Sequence, residues 1–175
     1  MPRTIVEAEA GGKYKYAIFK QHENRAVQSG DLTDNWISRR FSEVEYAGDH
    51  RWITTKGDKK KGQADVFTLV EGSYYIEAHA LGYAVGSHRL RFIGNDQEVT
   101  KIVGMNTFSH KEESEQSIAY LCGIIKIGKE TSFKLEHICK TPRGKEAQGR
   151  SNGNLVANDL EDELYAILKI VRFYP

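Results

Sequence analysis

The stretch V-F-T-L-V-E-G-S-Y-Y-I-E-A-H-A-L-G-Y-A-V-G-S-H-R-L-R-F-I, residues Val66–Ile93, decides the fold of this chain. Apolar and polar residues alternate in it in three short runs, which are separated by turn signals at Glu71-Gly72 and between Gly82 and Gly86. A period of two is the pattern of a half-buried strand, in which every second side chain faces the core. The core rows are expected to be Phe67 and Leu69, then Tyr74, Ile76, Ala78 and Ala80, then His88, Leu90 and Phe92. The stretch therefore predicts an antiparallel β domain.

Length and charge narrow the class of protein. The chain has 175 residues with a net charge of +1, and hydrophobic and charged residues make up 39% and 28% of it. These values are typical of a soluble globular domain, and they give no overall field toward nucleic acid or a membrane surface. No apolar run approaches the roughly 20 residues that span a bilayer, and the N-terminus lacks the apolar centre of a secretory signal. We expect residues 1–12 to be a short tail or anchor and residues 13–175 to form a single domain.

Short alternating runs outside the opening stretch predict the remaining strands. With two long polar loops, at 21–34 and 141–158, they give about eight to ten strands by the spacing rules for β proteins, and no helix. Residues 106–117 are predicted to be a further loop. This count indicates an all-β fold, a two-sheet antiparallel β-sandwich with a jelly roll as the leading candidate. The further predicted strands are Lys13–Lys20, Trp36–Tyr46, Arg51–Thr55, Gln97–Gly104, Ile118–Ile127, Phe133–Lys140 and Glu163–Phe173.

The expected register of one strand pair decides whether the two cysteines can form a disulfide. Residues 118–127 and 133–140 are predicted to form a hairpin, with Leu121 and Ile125 sharing a face with Phe133 and Cys139. That register puts Cys122 on the opposite face from Cys139, and a disulfide needs both to point the same way at close range. Two free thiols are expected.

Several segments together resemble a known family. The spans Phe67–Ile93, Gly123–Thr141 (G-I-I-K-I-G-K-E-T-S-F-K-L-E-H-I-C-K-T), Trp36–Phe41 (W-I-S-R-R-F) and Leu164–Ile170 (L-Y-A-I-L-K-I) resemble, in their order and spacing, a repeated pattern of phage and prophage tail-associated proteins. Such domains resemble the jelly rolls of the tumour necrosis factor and complement globular-head superfamily. The match covers most of the chain from about Tyr14 onward. No collagen-like repeat or long fibre segment precedes it, which departs from the family pattern.

The resemblance implies a TNF-like, ten-stranded sandwich that assembles as a homotrimer and binds rather than catalyses. The implied location is a virion, with synthesis in the host cytoplasm. The implied partners are a second and third copy of the chain, other virion or tail proteins, and a host-surface glycan or receptor, with no nucleic acid and no membrane insertion. Two roles stay open: host attachment, and structural decoration of a capsid without an external ligand. A small β-sandwich hydrolase is a third hypothesis, supported only by scattered His, Asp and Glu residues.

No motif for catalysis, for a cofactor or for a metal is found, and we expect none of these. His79 and His88 are predicted on neighbouring strands but on opposite faces, which disfavours a metal site. His137 and Cys139 could pair as a thiol and imidazole, yet a buried, hydrogen-bonded structural histidine fits its core row better. The acidic cluster Asp159, Glu161, Asp162 and Glu163 could hold calcium, and the run Lys59-Lys60-Lys61 could contact an anion. Both also fit ordinary solvated turns.

Aromatic and arginine residues supply the candidates for binding. Trp36 and Trp52 lie beside long loops and suit sugar stacking, although core packing also explains them. Arg89 and Arg91 are predicted on an outer sheet face together with Glu77 and His79, either as ligand contacts or as an exposed charge network. Five tyrosines are candidates for the trimer interface, since aromatic side chains favour subunit contacts. They are Tyr14, Tyr16, Tyr75, Tyr120 and Tyr165.

Overall fold

The structure, a computed structural model, describes residues 14–23, 32–58, 63–95, 101–109, 116–141 and 163–174. Every regular element in these ranges is a β-strand. Residues 1–12, the lysines at 59–61, His110 and the acidic side chains at 159–163 lie outside this description, so the predictions made for them stay predictions. The strands are β1 Tyr14–Glu23, β2 Ile37–Ser38, β3 Glu43–Ala47, β4 Ile53–Lys56, β5 Val66–Leu69, β6 Gly72–Tyr83, β7 Gly86–Gly94, β8 Lys101–Val103, β9 Thr107–Ser109, β10 Gln116–Ile127, β11 Thr131–Cys139 and β12 Glu163–Phe173.

The strands form two antiparallel sheets. The five-stranded sheet has the order β10-β6-β12-β1-β3, and the seven-stranded sheet runs β4-β5-β11-β7-β8, with β2 beside β11 and β9 beside β7. The pairs are nested: β1 with β12, β5 with β11, β6 with β10, and β7 with β8 and β9. A chain folded back on itself in this nested way and then wrapped into two sheets is a jelly roll. The predicted all-β, two-sheet antiparallel jelly roll is therefore confirmed.

The core lies between the two sheets and is built from alternate residues of both. The predicted core rows of the opening stretch are confirmed, because Phe67, Tyr74 and Phe92 and their alternating neighbours are almost completely buried. Aromatic rings concentrate at one end, where Phe19, Phe41 and Phe67 contact one another edge to face or tilted. Such contacts add to the free energy of burying large apolar side chains. The outward residues of each strand cover the two exterior faces of the sandwich.

Two predicted strand pairings are wrong. β10 and β11 do not form a hairpin, because β10 pairs with β6 in one sheet and β11 pairs with β5 and β7 in the other. β6 and β7 are likewise consecutive in the chain but lie in different sheets. Both connections cross from one sheet to the other, and the second turns at Ala84 and Gly86, which have positive φ values of 50° and 65°. Alternation identifies the buried face of a strand correctly but does not identify its neighbour.

Other boundaries differ in detail. Residues 36–46 form two short strands, β2 and β3, joined by Phe41, which bridges to Ala64. Part of the loop predicted at 106–117 is strand β9, and β10 begins at Gln116. The prediction of free thiols is confirmed, with Cys122 exposed and Cys139 buried. In the part of the chain that the structure describes, no helix is long and apolar enough to cross a membrane.

Candidate functional site

A polar network lies buried between the two sheets. Its centre is Arg39, which follows β2 and is held against β11 because its backbone N–H donates to the carbonyl of Leu135 at 2.8 Å. Residues 37, 39 and 41 alternate here, and Phe41 points into the core, so Arg39 points inward as well. Its side chain has no exposed surface. Burying a guanidinium is costly unless its donors are used, so the surroundings of Arg39 must supply acceptors.

The donors of Arg39 reach three strands. Nε donates to Nδ1 of His137 at 3.2 Å, and Nη2 lies 2.7 Å from the same nitrogen. Nη1 donates to Oε1 of Gln21 on β1 at 3.1 Å, and Nη2 donates to the carbonyl of Leu81 on β6. His137 belongs to the seven-stranded sheet, whereas Gln21 and Leu81 belong to the five-stranded sheet. One side chain therefore links both layers of the sandwich.

Two imidazoles extend the network toward the surface. Nε2 of His137 lies 2.9 Å from Nδ1 of His88, and Nε2 of His88 lies 2.7 Å from Oγ of Ser117. Because Arg39 can only donate, Nδ1 of His137 must accept, and the proton of His137 sits on Nε2. That proton is donated to Nδ1 of His88, so His88 carries its own proton on Nε2 and donates it to Ser117. Arg39 thus fixes the tautomers of both histidines.

The electrostatics keep both imidazoles neutral. Burial and, to a smaller extent, the nearby Arg39 charge together lower the pKa of His88 to about 4. The pKa of His137 is also held well below its ordinary range, by burial first and then by Arg39 and His88. Burial lowers the pKa of Arg39 to about 9, which leaves the guanidinium charged at neutral pH. A neutral pair of histidines beside a charged arginine agrees with the tautomers that the hydrogen bonds require.

The network has the outline of a nucleophile, a base and an orienting group, but its polarity is reversed. A base must present an unprotonated nitrogen to the hydroxyl that it activates. His88 presents its N–H to Ser117 instead, so it cannot accept the serine proton in this arrangement. The thiol alternative also fails, because burial raises the pKa of Cys139 to about 11. The network is therefore a structural link between the sheets, and His137 is the buried, hydrogen-bonded structural histidine that was expected.

Gly82 makes room for this link. A Cβ placed on Gly82 would lie 2.7 Å from Cε1 and 2.8 Å from Nδ1 of His88, whose ring is fixed by two hydrogen bonds. We expect Gly82→Ala to lower the free energy of unfolding by about 1–3 kcal/mol, the usual cost of overpacking. Denaturant unfolding measures this change. Gly128→Ala is the control, because nothing lies within 4 Å of its added Cβ, and a loss of equal size in both variants would contradict the steric explanation.

Three of the predicted binding residues meet on the exterior of the seven-stranded sheet. The Arg91 guanidinium carbon lies 4.1 Å from the centre of the Trp36 ring, and that of Arg89 lies 5.7 Å from it. Nε of Arg91 also forms an ion pair with Oε2 of Glu136 at 2.6 Å. The prediction that Glu77 and His79 share this face is wrong, because both lie on the exterior of the five-stranded sheet. Trp36, Arg89 and Arg91 form one half-buried cluster, named here the Trp36 cluster.

Trp52 does not belong to the Trp36 cluster. Its side chain is buried in the core, where its ring centre lies 5.9 Å from that of Tyr74. The prediction of Trp52 as a ligand-binding residue is therefore wrong for the folded chain, and its core-packing alternative is correct.

The interface tyrosines collect on the exterior of the five-stranded sheet. Tyr14 and Tyr16 on β1, Tyr75 on β6 and Tyr120 on β10 all occupy outward positions of their strands. Tyr165 differs because it is 1% exposed, next to the irregular register between β1 and β12. Its ring is therefore not on the exterior surface with the other four.

This exterior face combines apolar and polar groups. At its centre, Oε1 of Glu77 lies 3.3 Å from Nε2 of His79, and the ring of His79 lies 4.8 Å from that of Tyr120. Around them stand exposed apolar side chains, with Ile124 71% and Ile118 55% exposed. Among the described residues, no group of three His, Cys, Asp or Glu side chains could hold a metal ion. We name this surface the apolar face, since apolar side chains dominate it.

Comparisons with known proteins find similarity only among solved structures. The chain matches no protein-family model and no curated protein. Among solved structures, it is similar to the globular domain of the zebrafish complement 1qA protein, at 15% identity and a TM-score of 0.48, over 93% of this chain and 97% of that one. It is also similar to murine APRIL, at 10% identity and a TM-score of 0.48, over 92% and 100% of the two chains. Likeness at this level is too weak to indicate a ligand, an activity or an assembly.

Proposed function

We propose that this protein is a non-enzymatic homotrimeric jelly-roll module of a virus or phage particle that attaches to a host receptor or glycan. The observation that carries the proposal is the apolar face on the exterior of the five-stranded sheet. Large exposed apolar patches are uncommon on monomeric proteins and mark interaction sites. Besides Ile118 and Ile124, its exposed apolar side chains include Tyr14 and Phe173.

Charge on this face favours another copy of the chain as the occupant. Its ionic groups balance among the described residues, because three lysines stand against three glutamates, and Lys20 pairs with two of these. The lysines are Lys20, Lys126 and Lys169, and the glutamates are Glu43, Glu45 and Glu77. A face without net charge offers no electrostatic selection for a partner of opposite charge, whereas interfaces between identical subunits are mainly apolar. The aromatic rings of Tyr16, Tyr75 and Tyr120 suit such an interface. The choice of three copies follows from the sequence resemblance to the tumour necrosis factor superfamily.

The particle role rests on the same resemblance, in the segments 67–93 and 123–141. It has a direct test that does not depend on the oligomeric state. Antibodies against the protein should detect it on purified particles, in a fixed ratio to the major structural protein. Absence from particles, in preparations where the protein is plentiful in the lysate, would rule out the virion role and leave the trimer proposal standing.

The trimer has its own prediction. The wild-type protein should have a solution mass near three times 19.8 kDa, measured by size exclusion with light scattering. Ile124→Glu should give a folded monomer at micromolar concentration, because each copy would bury an unpaired carboxylate at a cost of several kcal/mol. Val103→Glu is the matched control: Val103 is 43% exposed on the exterior of the other sheet, so its variant should stay trimeric. A monomeric wild type would overturn the proposal.

A further inference from the structure

The two exterior faces of the sandwich differ in charge. Alongside the apolar face, whose ionic groups balance, the exterior of β11, β7 and β8 with the adjoining residues 34–40 carries many more cations than anions. Six cationic side chains stand there against two anions among the described residues, although the whole chain has a net charge of only +1. We name this surface the cationic face. Its cations are Arg40, Arg89, Arg91, Lys101, Lys134 and Lys140, and its anions are Asp34 and Glu136.

Strand register explains why these charges share one surface. Arg89 and Arg91 are outward residues of β7, and their partners on β11 are Ile138 and Glu136, which also point outward. Ile93, two residues further along β7, lies between Lys134 of β11 and Lys101 of β8. Strands are about 4.8 Å apart, so Lys101 and Lys134 start roughly 10 Å from each other. The cations are thus spread over the sheet surface rather than gathered at one point.

The Trp36 cluster lies within this surface and has a defined geometry. Arg91 is held between the Trp36 ring, at 4.1 Å, and Glu136, at 2.6 Å, so its position and that of the ring are fixed together. The guanidinium carbon of Arg89 lies 5.7 Å from the centre of the same ring, and Arg89 makes no ion pair with any described residue. The arrangement presents an aromatic ring beside a guanidinium that no described anion neutralises.

We propose that the cationic face binds an acidic carbohydrate, a glycan with carboxylate or sulfate groups, at the Trp36 cluster. The proposal rests on the attachment function proposed above and names its ligand class. Arg89 would donate a bidentate hydrogen bond to an acidic group of the glycan, while a sugar ring stacks on the indole of Trp36. Arg91 and Glu136 are positioning residues, since they orient the indole. The outlying lysines add attraction that falls with ionic strength.

The geometry favours a glycan over a nucleic acid. Single-stranded nucleic acids are bound by a cationic groove with successive aromatic rings on which consecutive bases stack. The Trp36 cluster offers one indole with two guanidinium groups near it. Sugar rings need one such platform and one or two well-placed polar groups to be oriented. The described residues of the cationic face supply one such platform and the polar groups beside it.

Binding to immobilised heparin, polysialic acid and uncharged dextran at physiological salt tests the proposal. The wild-type protein should bind one of the acidic glycans but not dextran, and Arg89→Gln should weaken that binding about tenfold, the value of one charge-assisted hydrogen bond. Arg89→Lys should recover part of it. Arg51→Gln, which removes one exposed positive charge outside the cationic face, should bind like the wild type.

Three results would overturn the proposal. They are no binding to either acidic glycan, equal losses in Arg89→Gln and Arg51→Gln, and tighter binding to single-stranded DNA than to the glycans. Light scattering on the same samples separates this proposal from the one on which it rests. A trimer without glycan affinity would contradict the proposed ligand and leave the trimer proposal standing. A monomer that binds glycans would contradict the trimer proposal alone.

Discussion

Replacing Arg39 by methionine is expected to lower the free energy of unfolding by about 3–5 kcal/mol, a large part of the stability of a typical domain. Methionine fills much of the same volume, so the loss comes from the acceptors that Arg39 leaves behind. These are Nδ1 of His137, Oε1 of Gln21 and the carbonyl of Leu81, all in the core between the sheets. Each buried polar group without a partner costs about 1–3 kcal/mol. Urea unfolding at pH 7 measures the change.

The neighbouring residue provides the control. Arg40 is exposed, so Arg40→Met removes the same charge and the same side chain from the surface. Exposed substitutions of this kind usually change stability by less than about 0.5 kcal/mol. Equal effects at positions 39 and 40 would show that the buried network contributes nothing specific.

Acid should destabilise the protein through the two buried histidines. The pKa of His88 is about 4 in the folded protein, below the ordinary value of 6.5, because burial and Arg39 disfavour the imidazolium. The unfolded chain therefore binds the proton first as the pH falls below 6.5. Stability should fall by about 1.4 kcal/mol per pH unit for each such histidine, and His88 alone accounts for roughly 3 kcal/mol by pH 4. His137 acts in the same direction.

Unfolding free energies between pH 7 and pH 4.5 test this dependence. His88→Gln should have a shallower slope than the wild type, whatever its stability at pH 7, since one of the two titrating groups is gone. His50→Gln should keep the wild-type slope, because His50 is exposed and lies outside the network. A flat wild-type profile, or one unchanged by His88→Gln, would show that the histidines are not held neutral by the fold.

Much of the fold could be predicted because alternation is a local property. The rows of β5, β6 and β7 place Phe67, Tyr74 and Leu90 correctly in the core, since a strand with one buried face must repeat every two residues. The pairing of strands could not be read in the same way. β10 and β11 both send alternate residues into the same core from opposite sheets, and their sequences look like those of a hairpin. The nested closure depends on contacts between distant segments.

The candidate site was predicted only in part. Trp36, Arg89 and Arg91 were identified and do meet, but Trp52 has the same residue type and a similar setting in the sequence, and it is buried. Arg39 was missed because the sequence W-I-S-R-R-F alone does not show which of Arg39 and Arg40 is buried. One signal was available: Arg39 is two residues from Phe41 and thus shares its face. Sequence reasoning does not place a charged residue in a core row unless acceptors for its donors can be identified, and those of Arg39 come from distant strands.

The nested pairing also governs when the fold can form. β12 lies between β6 and β1 in the five-stranded sheet, so each of those strands lacks one of its two neighbours until β12 is available, although β10 and β3 can pair with their other edges earlier. During synthesis β1 and β6 emerge before β12 and must each wait with one open edge, and open strand edges are prone to pair wrongly with other chains. Pairings so distant in sequence are also slow to form. The chain should therefore fold late, after its last strand has left the ribosome, and its yield should depend on protection of those edges until then.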